Sequence, residues 1–255
     1  MSLLVLVFCI SMGACEKEYE RKCEGNAVSN KICKELRYEN DVLFEAISYE
    51  YGNNNLVALK LHENRSGKNI GYLRYGYDSK NNVITEIFED SSDEILIENN
   101  WTYNIGGQMI TFSSDISGVK KIVEFLYDNS FVIQENTYEN SVLTKKKVYS
   151  YFDNDTVSYD AVTYNQEDEV LYVEQRRQFD SATTRTETYN NLGGLSSYVV
   201  SLYGSDSLIV EKKSYNGSGS QIQLEKYTYD KGAVAVYEMS SKVKDNRKIT
   251  YLRFD

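Results

Sequence analysis

The chain of 255 residues contains no proline, one histidine, one tryptophan and four cysteines. Without proline, no strand edge can be blunted by a missing N–H, so any edge needs charge or short length for protection. One histidine, His62, leaves too few ligands for a zinc site and makes a Ser-His-Asp triad improbable. It stands at the entry to a turn, where a structural or solvent role is the simplest reading. No Gly-x-Ser-x-Gly elbow and no glycine-rich phosphate loop with its lysine occurs. There is no basic excess either. Net charge is −10, spread along the chain, which argues against nucleic-acid binding and against charge-driven docking on anionic lipid.

Long hydrophobic runs are also missing. The most apolar stretch, Leu3 to Met12, is too short to cross about 30 Å of hydrocarbon as a helix. It has the length of a signal-peptide core. The n-region before it lacks Lys and Arg, which places the expected translation start upstream of Met1.

What the chain has in abundance is tyrosine, 23 of them. Tyr is amphipathic and suits a half-buried sheet face, so most are expected to be structural. The stretch Tyr72-Leu-Arg-Tyr-Gly-Tyr-Asp-Ser-Lys-Asn-Asn-Val-Ile84 reads as strand, turn, strand. Leu73, Tyr75 and Tyr77 fall on one face; Tyr72, Arg74 and Gly76 fall on the other. Asp78 to Asn82 supplies side chains that bond their own backbone, and Asn tolerates positive φ. Turn entries recur at Tyr38, Tyr51, Asn64, Tyr77, Asp90 and Tyr103, each 13 residues after the last, then more loosely to Tyr229. Such a unit is too short for a strand-helix repeat. It predicts an all-β antiparallel meander of about sixteen to eighteen strands, curled into an open or nearly closed barrel, with a two-sheet sandwich as the alternative. Val119, Ile122, Val123 and Leu126 have helical spacing, but the segment ends in the repeat's own turn entry, so a strand is expected there too. Lys145-Lys-Lys147 reads as a protected edge or a wet face.

Tyr75-Gly-Tyr77-Asp78 and Tyr227-Thr-Tyr229-Asp230-Lys231-Gly232 resemble the Tyr-x-Tyr-Asp-x-x-Gly signature of Tyr-Asp repeat proteins of the Rhs type. Looser copies are Tyr49-Glu-Tyr51-Gly52 and Tyr149-Ser-Tyr151-Phe152-Asp153. The likeness covers residues 32–255, with Asn often in place of the turn glycine and no toxin or core-processing segment following. In size the chain is similar to short Tyr-Asp-rich lipoproteins of Bacteroidota-like bacteria. Ser11-Met12-Gly13-Ala14-Cys15 resembles a bacterial lipobox, with Met12 where Leu is usual. The resemblance implies a signal peptide over 1–14, a lipidated Cys15 and anchoring at the outer membrane or cell surface. Glu16, Glu18 and Glu20 then read either as a surface-export signal or as a solvated tether. Residues 15–31 read as linker and 32–255 as a single β domain. In such a compartment, with Cys9 removed and Cys15 acylated, Cys23 and Cys33 are expected to pair.

No motif selects a reaction. Thirty-eight carboxylates leave a glycosidase pair formally open, but nothing singles two out. Asp90-Ser-Ser-Asp93-Glu94 and Asp153-Asn-Asp155 match no Ca²⁺ loop. The reading is therefore a non-enzymatic binding module, with no cofactor and no metal, whose partners are the membrane through its lipid and a glycan or protein ligand. The alternatives are a periplasmic carrier of lipid or another hydrophobe and a purely structural envelope lipoprotein. Candidate ligand contacts are Trp101 and Tyr103 beside the Gly106-Gly107 turn, then Tyr75 and Tyr77, with core packing as the competing role for all four.

Overall fold

The structure, a computed structural model, describes residues 31–152, 155–230, 233–241 and 246–253. The expected signal peptide, Cys9, Cys15 and Cys23 lie outside these residues. Eighteen strands account for nearly all of them. The first nine are β1 (Ile32–Glu39), β2 (Val42–Tyr51), β3 (Val57–Asn64), β4 (Asn69–Tyr77), β5 (Val83–Asp90), β6 (Ile95–Tyr103), β7 (Met109–Ile116), β8 (Val119–Asp128) and β9 (Phe131–Glu139). The rest are β10 (Val142–Phe152), β11 (Asp155–Tyr164), β12 (Val170–Asp180), β13 (Thr183–Asn190), β14 (Leu195–Tyr203), β15 (Ile209–Asn216), β16 (Gln221–Asp230), β17 (Ala233–Ser241) and β18 (Arg247–Arg253). Each strand pairs antiparallel with its sequence neighbours, and β1 pairs with β18 from Ile32↔Arg253 to Glu39↔Arg247. The meander therefore closes into a single barrel rather than an open sheet or a sandwich. The stretch with helical spacing is strand β8.

Closure removes the edges that the proline-free sequence leaves unprotected. Lys145-Lys-Lys147 is correspondingly no edge, because β10 is paired on both sides, with β9 and β11.

The 13-residue period is one strand plus one turn. Asn64, Asp78, Asp90, Asn104, Asn165, Asn190 and Asn216 each open a five-residue turn. In each, the backbone N–H of the first residue donates to the carbonyl of the fifth, and the N–H of the fourth donates back to the carbonyl of the first. The first residue's side chain adds a third tie: Asp78 Oδ1 accepts from the N–H of Lys80 and of Asn82, both at 2.8 Å. The fourth residue takes positive φ, as at Asn81 (67°), Asp93 (63°) and Gly107 (85°). This is why Asn or Asp can replace glycine in the repeat. The Asp90 carboxylate is likewise occupied by the N–H groups of Ser92 and Glu94. Its turn is thus a hairpin device; the companion Asp153 turn lies outside the described residues.

Register assigns the two walls. Glu35, Ile47, His62, Gly71, Leu73, Phe88 and Ala161 belong to one wall, which carries Ile47 at 1% and Ala161 at 0% exposure. On that wall side chains reach over an intervening strand, as Lys147 on β10 does to Glu174 on β12 (3.4 Å). Side chains converge in this way on a concave face, so this wall is the lumen. The opposite wall carries Arg74, Glu98, Glu124, Asp160, Arg177 and Glu187, tied by pairs such as Arg74–Glu89 (2.7 Å) and Arg177–Asp160 (2.6 Å). A lipid-facing wall needs an apolar band about 25 Å tall, and each Lys or Arg at its midplane costs roughly 2–4 kcal/mol. The described outer wall is built for water. A buried apolar cluster lies on it, where Leu36, Leu43 and Ala46 are covered and Tyr38 packs on them, and Val148, Val162 and Val173 form a short apolar row across β10 to β12. Cys33, just before, is disulfide-bonded; its partner lies outside the described residues.

Candidate functional site: the polar, aromatic lumen

Even-numbered strands all run toward one rim. There a tyrosine ends β2, β4, β6, β14 and, one residue earlier, β8, β10 and β16. Their hydroxyls form a collar. Tyr51 donates to Ile32 O (2.7 Å), Tyr77 to Val57 O (2.7 Å), Tyr103 to Val83 O (2.9 Å), Tyr127 to Met109 O (2.9 Å), Tyr151 to Val132 O (3.1 Å) and Tyr229 to Ile209 O (2.6 Å). Each bond ties a strand's exit to the start of the strand before it. Most of these tyrosines follow a register shift, at Gly76/Tyr77 and Thr102/Tyr103 for example.

The expected candidates divide on this geometry. Tyr77 and Tyr103 are collar residues, and their hydroxyls are used by the fold. Tyr75 stacks on Tyr77 with centroids 6.5 Å apart, and Trp101 leans on Phe112 at 5.4 Å. Among the described residues no ring contact joins the two pairs, so they are neighbouring stations on one wall rather than one pocket.

Deeper in the lumen a second pattern appears, which composition alone does not reveal. Carboxylates are paired with tyrosine hydroxyls. Tyr49 donates to Glu35 (2.6 Å), Tyr159 to Glu174 (2.7 Å), Tyr227 to Glu225 (2.6 Å) and Tyr149 to Glu135. Burial, then the adjacent carboxylate, pushes the Tyr49, Tyr75, Tyr149 and Tyr159 phenols well above their ordinary range. Tyr237 is pushed up to about 12, by burial and then by Glu225. A sequence signal existed: Tyr49 and Tyr149 each follow their glutamate by 14 residues, one hairpin step.

His62, two residues before the Asn64 turn, has the structural rather than the solvated of its two expected roles: it is buried in the lumen wall. Its Nδ1 lies 2.7 Å from Glu45 Oε1, and its ring meets the edge of Phe88 at 5.5 Å. Burial would raise the Glu45 pKa, but His62 and Arg37 (2.8 Å) outweigh it and hold the carboxyl below its ordinary value. Burial also lowers Lys60, against the pull of Glu35 and Glu86. Gly71 lies opposite His62, and the Phe88 ring covers it; a Cβ there would stand 2.7 Å from Phe88 Cζ and 2.6 Å from Glu89 O. Among the described residues no group of three His, Cys, Asp or Glu side chains is arranged to hold a metal.

Fold and wall chemistry together define a class: a closed antiparallel β-barrel, charged toward water on its outside, with a polar and aromatic interior. No protein-family model matches the chain, and no curated protein sequence matches it. Among solved structures, a porin-like protein from Bacteroides uniformis aligns over 89% of this chain and 99% of its own, at 10% identity and a TM-score of 0.48. A porin-like protein from Bacteroides vulgatus aligns over 88% and 98%, at 12% identity and 0.38. A Bacteroides fragilis protein of unknown function aligns over 53% and 92%, at 17% identity and 0.29. The barrel itself stands on the strand pairings of this chain.

Proposed function

We propose that the protein is an exported, lipid-anchored barrel of the cell envelope that holds a polyhydroxylated ligand, of the glycan class, in its lumen. The observation that carries this reading is the lumenal pairing of carboxylates with tyrosine hydroxyls beside flat aromatic rings. Sugars stack apolar ring faces on aromatics and donate hydroxyl hydrogen bonds to carboxylates; Tyr and Trp supply rigid contact area at small entropy cost. An eighteen-strand barrel belongs to the size class that encloses an aqueous lumen. A carrier of lipid would want that lumen apolar, whereas Glu35, Glu86, Glu135 and Glu174 line it, and a lipid tail would strip them of water while offering no hydrogen bond in return. A bilayer-spanning pore is disfavoured by the charged outer wall. No catalytic step is assigned.

Trp101 is the sole tryptophan, so intrinsic fluorescence reports on the lumen without a label. The experiment is a titration with a panel of neutral oligosaccharides, followed by Trp emission and by calorimetry. Binding heat with a change in emission is the expected result. Neither signal across the panel would leave the purely structural reading in place.

A further inference from the structure

The lumen is not uniform. The wall formed by β9 to β12 concentrates its chemistry. Four rings gather there: Phe131 and Tyr151 at 4.9 Å, Tyr149 and Tyr159 at 5.4 Å, Tyr151 and Tyr159 at 5.8 Å, and Tyr149 stacked on Tyr151 at 6.1 Å with planes 15° apart. Ala161, opposite Tyr149, is fully buried and keeps the floor flat. Two carboxylates frame the rings, each already oriented by a tyrosine: Glu135 by Tyr149 and Glu174 by Tyr159. Lys147 lies over the Tyr149 ring at 4.9 Å and within 3.4 Å of Glu174.

Two polar atoms on this wall are buried without a partner. Thr163 Oγ1 sits on a side chain that is 1% exposed, opposite Lys147. Arg176 Nε is the other; its Nη2 donates to Tyr203 (3.3 Å). A buried polar atom left unpaired costs about 1–3 kcal/mol, and such orphans call for an explanation. By comparison, the wall from β3 to β7 around Trp101 holds two orphans, His62 Nε2 and Asn99 Oδ1, but its rings stand as separate pairs, His62–Phe88, Tyr75–Tyr77 and Trp101–Phe112, rather than as one platform.

We infer that the β9–β12 wall, rather than the Trp101 wall, is the main sugar subsite, with Tyr149, Tyr151 and Tyr159 as the stacking platform and Glu174, Thr163 and Arg176 meeting ligand hydroxyls. The inference rests on the glycan reading above. Glu174 accepts a hydrogen bond from a ligand O–H while Tyr159 and Lys147 hold the carboxylate in place. Arg176 Nε donates to a ligand oxygen. Thr163 can do either, since a hydroxyl is both donor and acceptor. Mixed acid and base keep the subsite near neutrality, which suits a neutral sugar.

Calorimetry on the full barrel with the oligosaccharide that binds wild type best provides the test. Thr163→Val keeps the side-chain shape and removes the hydroxyl; Tyr159→Phe unhooks Glu174. Tyr229→Phe, which unhooks a collar hydroxyl from Ile209 O and touches no carboxylate of the site, is the control for merely losing a tyrosine hydrogen bond. Affinity is expected to fall about tenfold in each of the first two and less than twofold in Tyr229→Phe, with all three equally folded by circular dichroism. Equal losses in all three, or a loss confined to Tyr229→Phe, would overturn the placement while leaving lumenal binding intact. Absence of binding by wild type to every sugar would remove both the glycan reading and this subsite. Should Thr163→Val fail to fold, Thr163→Ser is expected to keep wild-type affinity, and a loss there with Tyr159→Phe unaffected would equally refute the assignment.

Discussion

Raising the pH should unfold this barrel cooperatively, through its buried phenols. Tyr49, Tyr75, Tyr149 and Tyr159 all have pKa values raised by burial and by a neighbouring carboxylate. A raised folded-state value contributes stability that is complete below the unfolded value near 10 and is lost as pH climbs above it. In that window the unfolded chain sheds protons that the folded barrel cannot. At about pH 11 each phenol held neutral costs roughly 1.4 kcal/mol, or about 5–6 kcal/mol for the four. Part of each ring reaches water, so we halve this to about 3 kcal/mol. That is a large share of an ordinary domain's stability of about 5–15 kcal/mol. The assay follows tyrosinate absorbance and far-ultraviolet circular dichroism together on stepwise addition of base. Expected is a two-phase titration. The least buried tyrosines should ionise without loss of structure, and the remainder should ionise in the same step that abolishes the sheet signal. Smooth ionisation of all 23 tyrosines about pH 10 with the sheet intact would refute the reasoning.

Three other outcomes are expected. Gly71→Ala should destabilise by about 1–3 kcal/mol in urea unfolding, because the new methyl meets Phe88 and the Glu89 carbonyl, whereas Gly106→Ala should change little. Glu45→Gln should lower the urea midpoint at neutral pH. The gap from wild type should close as pH falls through the depressed Glu45 pKa, since the lost stability exists only while that carboxylate is charged. Cys15→Ser is expected to shift the protein from the membrane fraction to the soluble one; unchanged retention would place the anchor elsewhere.

Local structure was legible in the sequence because its causes are local. Asp78 and Asn64 bond their own turns, and alternation places Tyr75 and Tyr77 on one face whatever lies beyond. Val119 to Asp128 could be resolved as strand because its last residues are a turn entry. Curling into a barrel was legible from the strand count, but whether the barrel closes fully was not. Pairing of Leu36 with Thr250 leaves no mark on either neighbourhood, and it abolished the edges the sequence seemed to need protecting. Nor could the inner wall be told from the outer. Both carry charge and tyrosine, so hydropathy does not choose between Glu86 and Glu89. The site suffered most from this. Trp101 stood out by rarity, but the Tyr–Glu pairs depend on register and on bulges such as Tyr151/Phe152. His62 looked peripheral by position, and only the register with Ile47 and Gly71 puts it inside.

The number of strands being even has a geometric consequence. The described chain enters at Ile32 and leaves at Arg253, and these two residues face each other across the seam. Both therefore stand at the rim ringed by the tyrosine hydroxyls, and the described residues at the opposite mouth are hairpin turns. A lipidated tether joined at Ile32 would fix the barrel's polarity. With lipid on Cys15, the collared mouth would point down toward the membrane and the uncollared one out into the surrounding medium. A long ligand would then thread in from the outer mouth and meet the collar last.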